Sequence, residues 1–117
     1  MISGISSSLS ALQAFTKKVE VSANNTANVN TDGFKKDTVT LSEGSKGGVT
    51  ATVQKVATPG PLAQVQTTKG EEMVEQSNVE LTEEIPANVL NQRAFEANVK
   101  AIQTQDQMTK SVLNIIA

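Results

Sequence analysis

Cysteine, histidine, tryptophan and tyrosine are all absent from this chain of 117 residues. Without cysteine or histidine, the chain cannot build a thiolate or imidazole zinc site, a histidine-based catalytic triad or a cysteine nucleophile. Without cysteine it also has no disulfide, so its fold does not depend on an oxidising compartment. We therefore expect a protein that is not an enzyme and that needs no cofactor.

Large hydrophobic side chains are scarce as well. The aromatic residues are three phenylalanines, and hydrophobic residues make up 38% of the chain. A domain of this length needs a dense core to be stable alone. We therefore expect part of the apolar surface to be buried against other chains.

Charge and hydropathy exclude two kinds of partner. Ten basic residues stand against 12 acidic residues, so the net charge is −2 and no strongly basic surface for nucleic acid is expected. No apolar run reaches 18 residues, which predicts no insertion into a lipid membrane. Residues 1–8 lack a basic region followed by an apolar run, so we expect no cleaved signal peptide.

Glycine and proline divide the chain into three parts. Six of the seven glycines and two of the three prolines lie between residues 33 and 70. Because these residues interrupt regular structure, we predict a mainly α fold with a helix at each end. The predicted parts are an N-terminal helix with an Asn-rich end (1–30), a β-hairpin and loop segment (31–80), and a long C-terminal helix (81–117).

The first part has apolar residues at alternating spacings of three and four, which is typical of a coiled-coil seam. The spacing predicts a helix over about residues 3–28 with one apolar stripe. The stripe consists of two rows: Ile2, Leu9, Thr16 and Ala23, and Ile5, Leu12, Val19 and Thr26.

The last part contains no glycine and many good helix formers, which predicts a helix over about 83–116 with Thr82 as its N-cap. Its apolar residues form two stripes: Leu90, Ala94, Ala97, Ala101, Met108 and Ile115, and Phe95, Val99, Ile102, Leu113 and Ile116. A helix deep in one bundle would explain both stripes. The chain offers only one other long helix, however, so the second stripe indicates an intermolecular contact.

The middle part has weaker patterns. Alternation predicts a strand at 49–56, with 39–41 as its hairpin partner through a loop at 44–48. Residues 62–68 indicate one further extended run, and the charged residues 69–78 indicate a solvated connector.

No catalytic or metal-binding pattern stands out. Glu83 and Glu84 are interpreted as solvated charges near a helix start, and Lys35 and Lys36 as ordinary surface. The loop at 44–48 does not have the full pattern of a phosphate-binding loop, because Gly48 is followed by Val49 and Thr50 and not by lysine.

Asparagine is unusually dense at the end of the first predicted helix, with four in the seven residues 24–30. Asparagine disfavours helix interiors because its side chain competes for the backbone. One interpretation is a frayed helix end with a turn. The other is that some of these amides are buried between chains, where they would fix the register of neighbours.

These residues resemble a known family. Residues 22–35, SANNTANVNTDGFK, are similar to the N-terminal signature of bacterial flagellar rod and hook proteins. Residues 78–85 and 91–102, NVELTEEI and NQRAFEANVKAI, resemble the closing helix of the same family. The positions that carry the family motif are Asn24, Asn25, Asn28, Asn30, Gly33, Phe34, Arg93 and Asn98.

The resemblance implies a structural axial subunit of the flagellar basal-body rod, closest to the small proximal-rod members because the middle part is short. It implies that the terminal helices pair as an antiparallel coiled coil. It also implies export in an unfolded state through the flagellar type III export apparatus, and a place in the periplasmic part of the basal body. The expected partners are copies of the chain and other rod and hook–basal-body proteins.

An assembly interface on both helices follows from the stripes and the resemblance. Its predicted residues are Ile5, Leu9, Leu12, Val19, Ala23, Leu90, Phe95, Val99, Ile102, Met108, Leu113 and Ile116. The alternative is a soluble helical adaptor or export-chaperone-like module that binds one partner and does not polymerise.

Overall fold

Two long helices enclose two β-hairpins in the chain. The computed structural model describes residues 2–44 and 47–117, without the side chains of residues 2 and 3. The elements, in order, are α1 (Ile2–Ala27), β1 (Asp37–Glu43), β2 (Val49–Lys55), β3 (Leu62–Thr67), β4 (Gly70–Glu75) and α2 (Leu81–Ile116). The predicted mainly α architecture, with a helix at each end and strands between, is confirmed.

Helix α1 matches its predicted extent and ends in the Asn-rich segment. The Asn28 side chain donates a hydrogen bond to the carbonyl oxygen of Asn24 at 2.9 Å, which satisfies an acceptor of the last turn. Gly33 then has a φ of +68°, a conformation that favours glycine, and the chain turns toward β1.

Helix α2 begins two residues earlier than predicted. Its N-cap is Glu80, whose side chain makes no capping hydrogen bond, so the prediction of Thr82 as N-cap is wrong. The helix continues through Pro86 because a proline near the start removes only one early hydrogen bond. At 36 residues, α2 is about 54 Å long.

The two helices pack against each other in opposite directions. Asn25, near the end of α1, lies 2.9 Å from Glu84 near the start of α2, measured between Nδ2 and Oε1. At the other end, a Cβ on Gly4 would lie 2.6 Å from Nε2 of Gln105. Contact at both ends fixes the direction of the pairing, whereas a supercoil of the coiled-coil type stays a prediction.

The β1–β2 hairpin lies along α1. Its strands are antiparallel with Val39 opposite Val53, which confirms the predicted strand at 49–56 and its partner at 39–41. The backbone N–H of Val49 donates to Oγ of Ser10 at 3.0 Å, so the hairpin extends from the end of α1 toward its start. Of the predicted loop at 44–48, residues 45 and 46 lie outside the described residues.

The β3–β4 hairpin contacts no other helix or strand in the described part of the chain. The predicted extended run at 62–68 is confirmed as β3. The prediction of a solvated connector at 69–78 is wrong, because Gly70–Glu75 pairs with β3 as strand β4. Both faces of this hairpin are largely open to solvent. Its strands therefore do not need alternating apolar residues, and periodicity does not reveal them.

The fold buries little of itself. Among the described residues, the buried hydrophobic side chains are Ala11, Ala14 and Val79. The radius of gyration is 20.8 Å, against about 13 Å for a compact domain of this length. No helix within the described residues has the length and apolarity needed to cross a bilayer.

Candidate assembly surface

The described part of the chain holds no group of three or more metal-binding side chains. The adjacent carboxylates at the start of α2 both make hydrogen bonds within the fold. Glu84 is half-buried and accepts a hydrogen bond from Asn25. Glu83 accepts one from Lys36 at 2.7 Å, but its side chain is 62% exposed, as expected of a solvated charge.

The large apolar side chains of the α1 stripe are only partly covered by the rest of the described chain. Leu9 is 52% exposed and Ile5 is 39% exposed, while Leu12 and Val19 are half-buried. The small exposed Ala23 continues the same stripe. The side chain of Ile2, also predicted in this stripe, lies outside the described residues.

The buried face of α1 is made of small and polar side chains. Ala11, Ala14, Ser22 and Asn25 are its buried members. Small side chains let α2 and the hairpin approach the helix closely. The heptad stripe of α1 is therefore not its most buried face, because the large side chains of the stripe stay exposed or half-buried.

A groove between the two helices brings predicted interface residues from both ends of the chain together. Val19 and Ala23 of α1 and Phe95 of α2 line it, and its volume is about 730 Å³. Glu20 and Glu96 lie on its rim. The groove is continuous with the apolar stripe of α1 through Val19.

The two apolar stripes of α2 are largely uncovered. Leu90 is 70% exposed, and Met108 and Ile115 of the same stripe are exposed. In the other stripe, Val99 and Ile102 are half-buried.

Helix α2 extends beyond the start of α1. Because Gly4 lies beside Gln105, residues 110–116 lie past the start of α1 and span about 10 Å. We call this segment the free end of α2. Its exposed hydrophobic residues are Val112, Leu113, Ile115 and Ile116.

The side of α2 with the least exposure is polar, which the sequence analysis missed because it looked for apolar periodicity. Asn91 is buried there, and Asn88, Asn98 and Gln105 are half-buried at the same helical spacing. A search for any residue type with spacings of three and four would have found this row of amides.

Asn25 connects three elements at the end of α1. It is 1% exposed. Its Nδ2 donates to the carbonyl oxygen of Asp37 at 2.8 Å and to Oε1 of Glu84 at 2.9 Å. Its Oδ1 accepts from the backbone N–H of Asp37 at 3.0 Å. These bonds lie within one chain, so the hypothesis of an amide buried between chains is wrong for Asn25.

Asn78, just before α2, binds residues that come directly before β1 and after β2. Its Oδ1 accepts from the backbone N–H of Lys36 at 2.6 Å. Its Nδ2 donates to the carbonyl oxygens of Val56 and Thr58 at 3.0 and 2.8 Å. The backbone N–H of Asn78 also donates to the carbonyl oxygen of Phe34 at 3.2 Å.

Two ion pairs surround this junction. They involve Lys35 and Lys36, which were predicted to be ordinary surface residues. The hydrogen bond from Lys36 to Glu83 raises the pKa of Lys36 above its ordinary value. Lys35 pairs with Glu75. The hydrogen bond from Lys35, together with one from the backbone N–H of Gly60, lowers the pKa of Glu75.

The remaining motif residues have local roles. Asn24 and Asn30 are exposed, and Asn28 closes the last turn of α1. Arg93 pairs with Glu96 of its own helix at 3.3 Å. The Asn98 side chain donates to the carbonyl oxygen of Ala94 at 2.9 Å.

Two family models match the chain, one at each end. Residues 5–35 match the model described as flagella basal body rod protein. Residues 71–115 match the model described as flagellar basal body rod FlgEFG protein C-terminal. No curated protein matches the chain. The two matched segments contain α1 with its Asn-rich end, and β4 with nearly all of α2.

Proposed function

From the premise that this chain belongs to the flagellar basal body rod protein family, we propose that it is an axial subunit that assembles helically within the rod. The family supports a structural role in the bacterial flagellar basal body and association with its other proteins. The proposal adds the surfaces through which assembly occurs, the route of export and the neighbours.

The exposed apolar surface shared by both helices carries this proposal. The groove around Val19 and Phe95 is near the middle of the helix pair, whereas the free end of α2 projects from one tip. Contacts between different surfaces of identical subunits are head-to-tail, and they form an open filament when the rotation does not close a ring. Such an assembly would cover the hydrophobic side chains that the single chain leaves in water.

In this proposal the antiparallel helix pair is a coiled coil, and its neighbours are copies of the chain and other rod and hook–basal-body proteins. Export occurs in an unfolded state through the flagellar type III apparatus, without a cleaved signal peptide, to the periplasmic part of the basal body. The absence of disulfides and the small internal core support this route. A chain with few buried contacts and no cross-links is easily kept unfolded for passage through a channel.

The alternative, an adaptor that binds one partner and stops, accounts for less of the structure. A single partner helix in the groove would cover Val19 and Phe95 but would leave the distant free end of α2 exposed. A stable 1:1 complex that never polymerises would favour the adaptor.

Substitutions at two distant, exposed positions test the proposal. We expect Leu9→Asp and Leu113→Asp each to abolish incorporation into rods and swimming, because each places a charge in a contact that excludes water. Incorporation is measured by the content of the chain in purified basal bodies, and the fold of the purified variants by far-ultraviolet circular dichroism.

Gln13→Asp is the matched control, because Gln13 is an exposed residue of α1 outside the stripe. This variant should incorporate and swim normally. Normal motility and rod content in both leucine variants would contradict the assembly proposal.

A further inference from the structure

Asn25 acts on β1 as a neighbouring strand would. In an antiparallel ladder, a hydrogen-bonded residue both donates to and accepts from the residue opposite. The Asn25 side chain makes this pair of bonds with the backbone of Asp37, at 2.8 and 3.0 Å. The same amide group also donates to Glu84 of α2, so one buried side chain joins α1, the start of β1 and the start of α2.

Asn78 performs the corresponding task at Lys36, the residue before β1. It accepts from the backbone N–H of Lys36 and donates to the carbonyl oxygens of Val56 and Thr58. The backbone N–H of Val56 in turn donates to the carbonyl oxygen of Lys36 at 2.9 Å. Asn78 therefore joins the start of β1, the chain just after β2 and the approach to α2.

The two amides make separate movements of these segments costly. If β1 left α1 while the helices stayed paired, the buried Asn25 amide would lose both bonds to Asp37. If α2 separated while the hairpin stayed docked, Asn25 would lose its hydrogen bond to Glu84. The segment leading to α2 would also move, which would strain the hydrogen bonds of Asn78. Buried polar groups without partners are strongly unfavourable, so partly bonded states are suppressed.

We propose that Asn25 and Asn78 form a two-amide clasp that makes pairing of the helices and docking of the β1–β2 hairpin a single cooperative folding step. The clasp needs residues from both ends of the chain, so neither terminal segment can order the hairpin alone. The inference concerns the folding of one chain and does not depend on the role in the rod.

Urea unfolding of the full chain with two probes tests the clasp. Ellipticity at 222 nm reports the helices, and the fluorescence of a Val53→Trp reporter in β2 reports the hairpin without interference, because the chain has no tryptophan or tyrosine. The reporter chain should give coincident transitions, as a single cooperative step requires. In the same background, Asn25→Ala should move the hairpin transition below the helix transition by about 1 M urea.

Asn24→Ala is the matched control, since Asn24 is the exposed neighbour of Asn25 in the same helix. Its two transitions should stay coincident. Coincident transitions in Asn25→Ala, or separated transitions in the unsubstituted reporter chain, would overturn the proposal. Asn78→Ala should separate the transitions in the same way, and the double variant should separate them by less than the sum of the single effects. Fully additive separations would overturn a shared clasp.

A measurement on the unsubstituted chain guards against variants that do not fold. Amide exchange of Lys36 and Asp37, whose N–H groups bind the two asparagines, should have the same urea dependence as that of Ala14 on the buried face of α1. Loss of protection at Lys36 and Asp37 before Ala14, or no protection at any of the three, would overturn the clasp.

Discussion

Glu75, the last residue of β4, illustrates how a single charged residue anchors the base of the β3–β4 hairpin. Its carboxylate pairs with Lys35 and accepts a hydrogen bond from the backbone N–H of Gly60 at 2.9 Å. Both interactions favour the ionised form, which is why the pKa of Glu75 lies below its ordinary value of 4.5. The stabilisation is therefore complete above about pH 4.5 and is lost as the pH falls through the lower pKa of the folded state.

We predict that Glu75→Gln speeds amide exchange at Gly60 at neutral pH, because the neutral amide keeps the shape but not the charge. The ratio of the exchange rates of variant and wild type, measured by NMR at each pH, should fall to one in acid, where the wild-type carboxyl is also neutral. Glu72→Gln in the same strand should give a ratio near one throughout. A ratio for Glu75→Gln that does not change with pH would contradict this account.

Single residues also mark the limit of what the sequence can reveal. The Asn-rich motif is visible as a motif, but its four asparagines look alike, and only Asn25 is directed toward both β1 and α2. Helical spacing places Asn25 on the same face as Ser22, yet it does not indicate which other segments meet that face. The role of Asn78 is equally hidden, because it depends on backbone groups of Lys36, Val56 and Thr58, which lie 42, 22 and 20 residues away.

At the scale of elements, the β3–β4 hairpin is the most independent part of the chain. Its two strands contact only each other among the described helices and strands, and an isolated hairpin is marginally stable in water. We predict that Val65→Pro in β3 removes amide protection across the hairpin, because proline lacks a donor and disrupts the strand.

The helical ellipticity and the unfolding midpoint of the helix pair should stay unchanged in Val65→Pro, as measured by circular dichroism in urea. Val39→Pro is the matched comparison, because β1 packs on α1, and it should lower that midpoint. An equal loss of helix stability in both variants would show that the β3–β4 hairpin also supports the helices.

Elements follow from the sequence wherever burial leaves a periodic trace. Both helices and the β1–β2 hairpin were predicted because their apolar residues repeat at helical or alternating positions. Strand β4 was missed because charged side chains on an exposed hairpin carry no such trace. The least exposed side of α2 was missed in part because it carries the amides Asn91 and Asn98, whose polarity leaves no apolar periodicity.

At the scale of the whole molecule, the chain is elongated, with dimensions of 81 × 25 × 18 Å. Helix α2 accounts for about 54 Å of the long dimension. The large apolar residues of the chain are mainly on the outside. Composition predicted this scarcity of internal core, but it did not predict that the heptad stripe of α1 would stay partly exposed. A heptad pattern indicates that an apolar stripe is buried in a helix contact. It does not indicate whether the partner helix belongs to the same chain or to another.

The free end of α2 provides the most direct test of cover by a neighbour. In the isolated chain, residues 110–116 project past α1 and are all exposed, so the last turns of α2 should fray and their amides should exchange rapidly. In purified basal bodies, the amides of this segment should exchange at least about tenfold more slowly, because a contact worth 1.4 kcal/mol or more suppresses the open state by that factor.

Hydrogen exchange with mass spectrometry resolves this segment from the rest of α2. Residues 91–102 are the internal reference, since their inner face already packs on α1 and their protection should rise much less on assembly. Rapid exchange of residues 110–116 in assembled rods would show that the free end stays in water. The groove around Val19 and Phe95 would then remain the candidate contact, and the head-to-tail arrangement would lose one of its two surfaces.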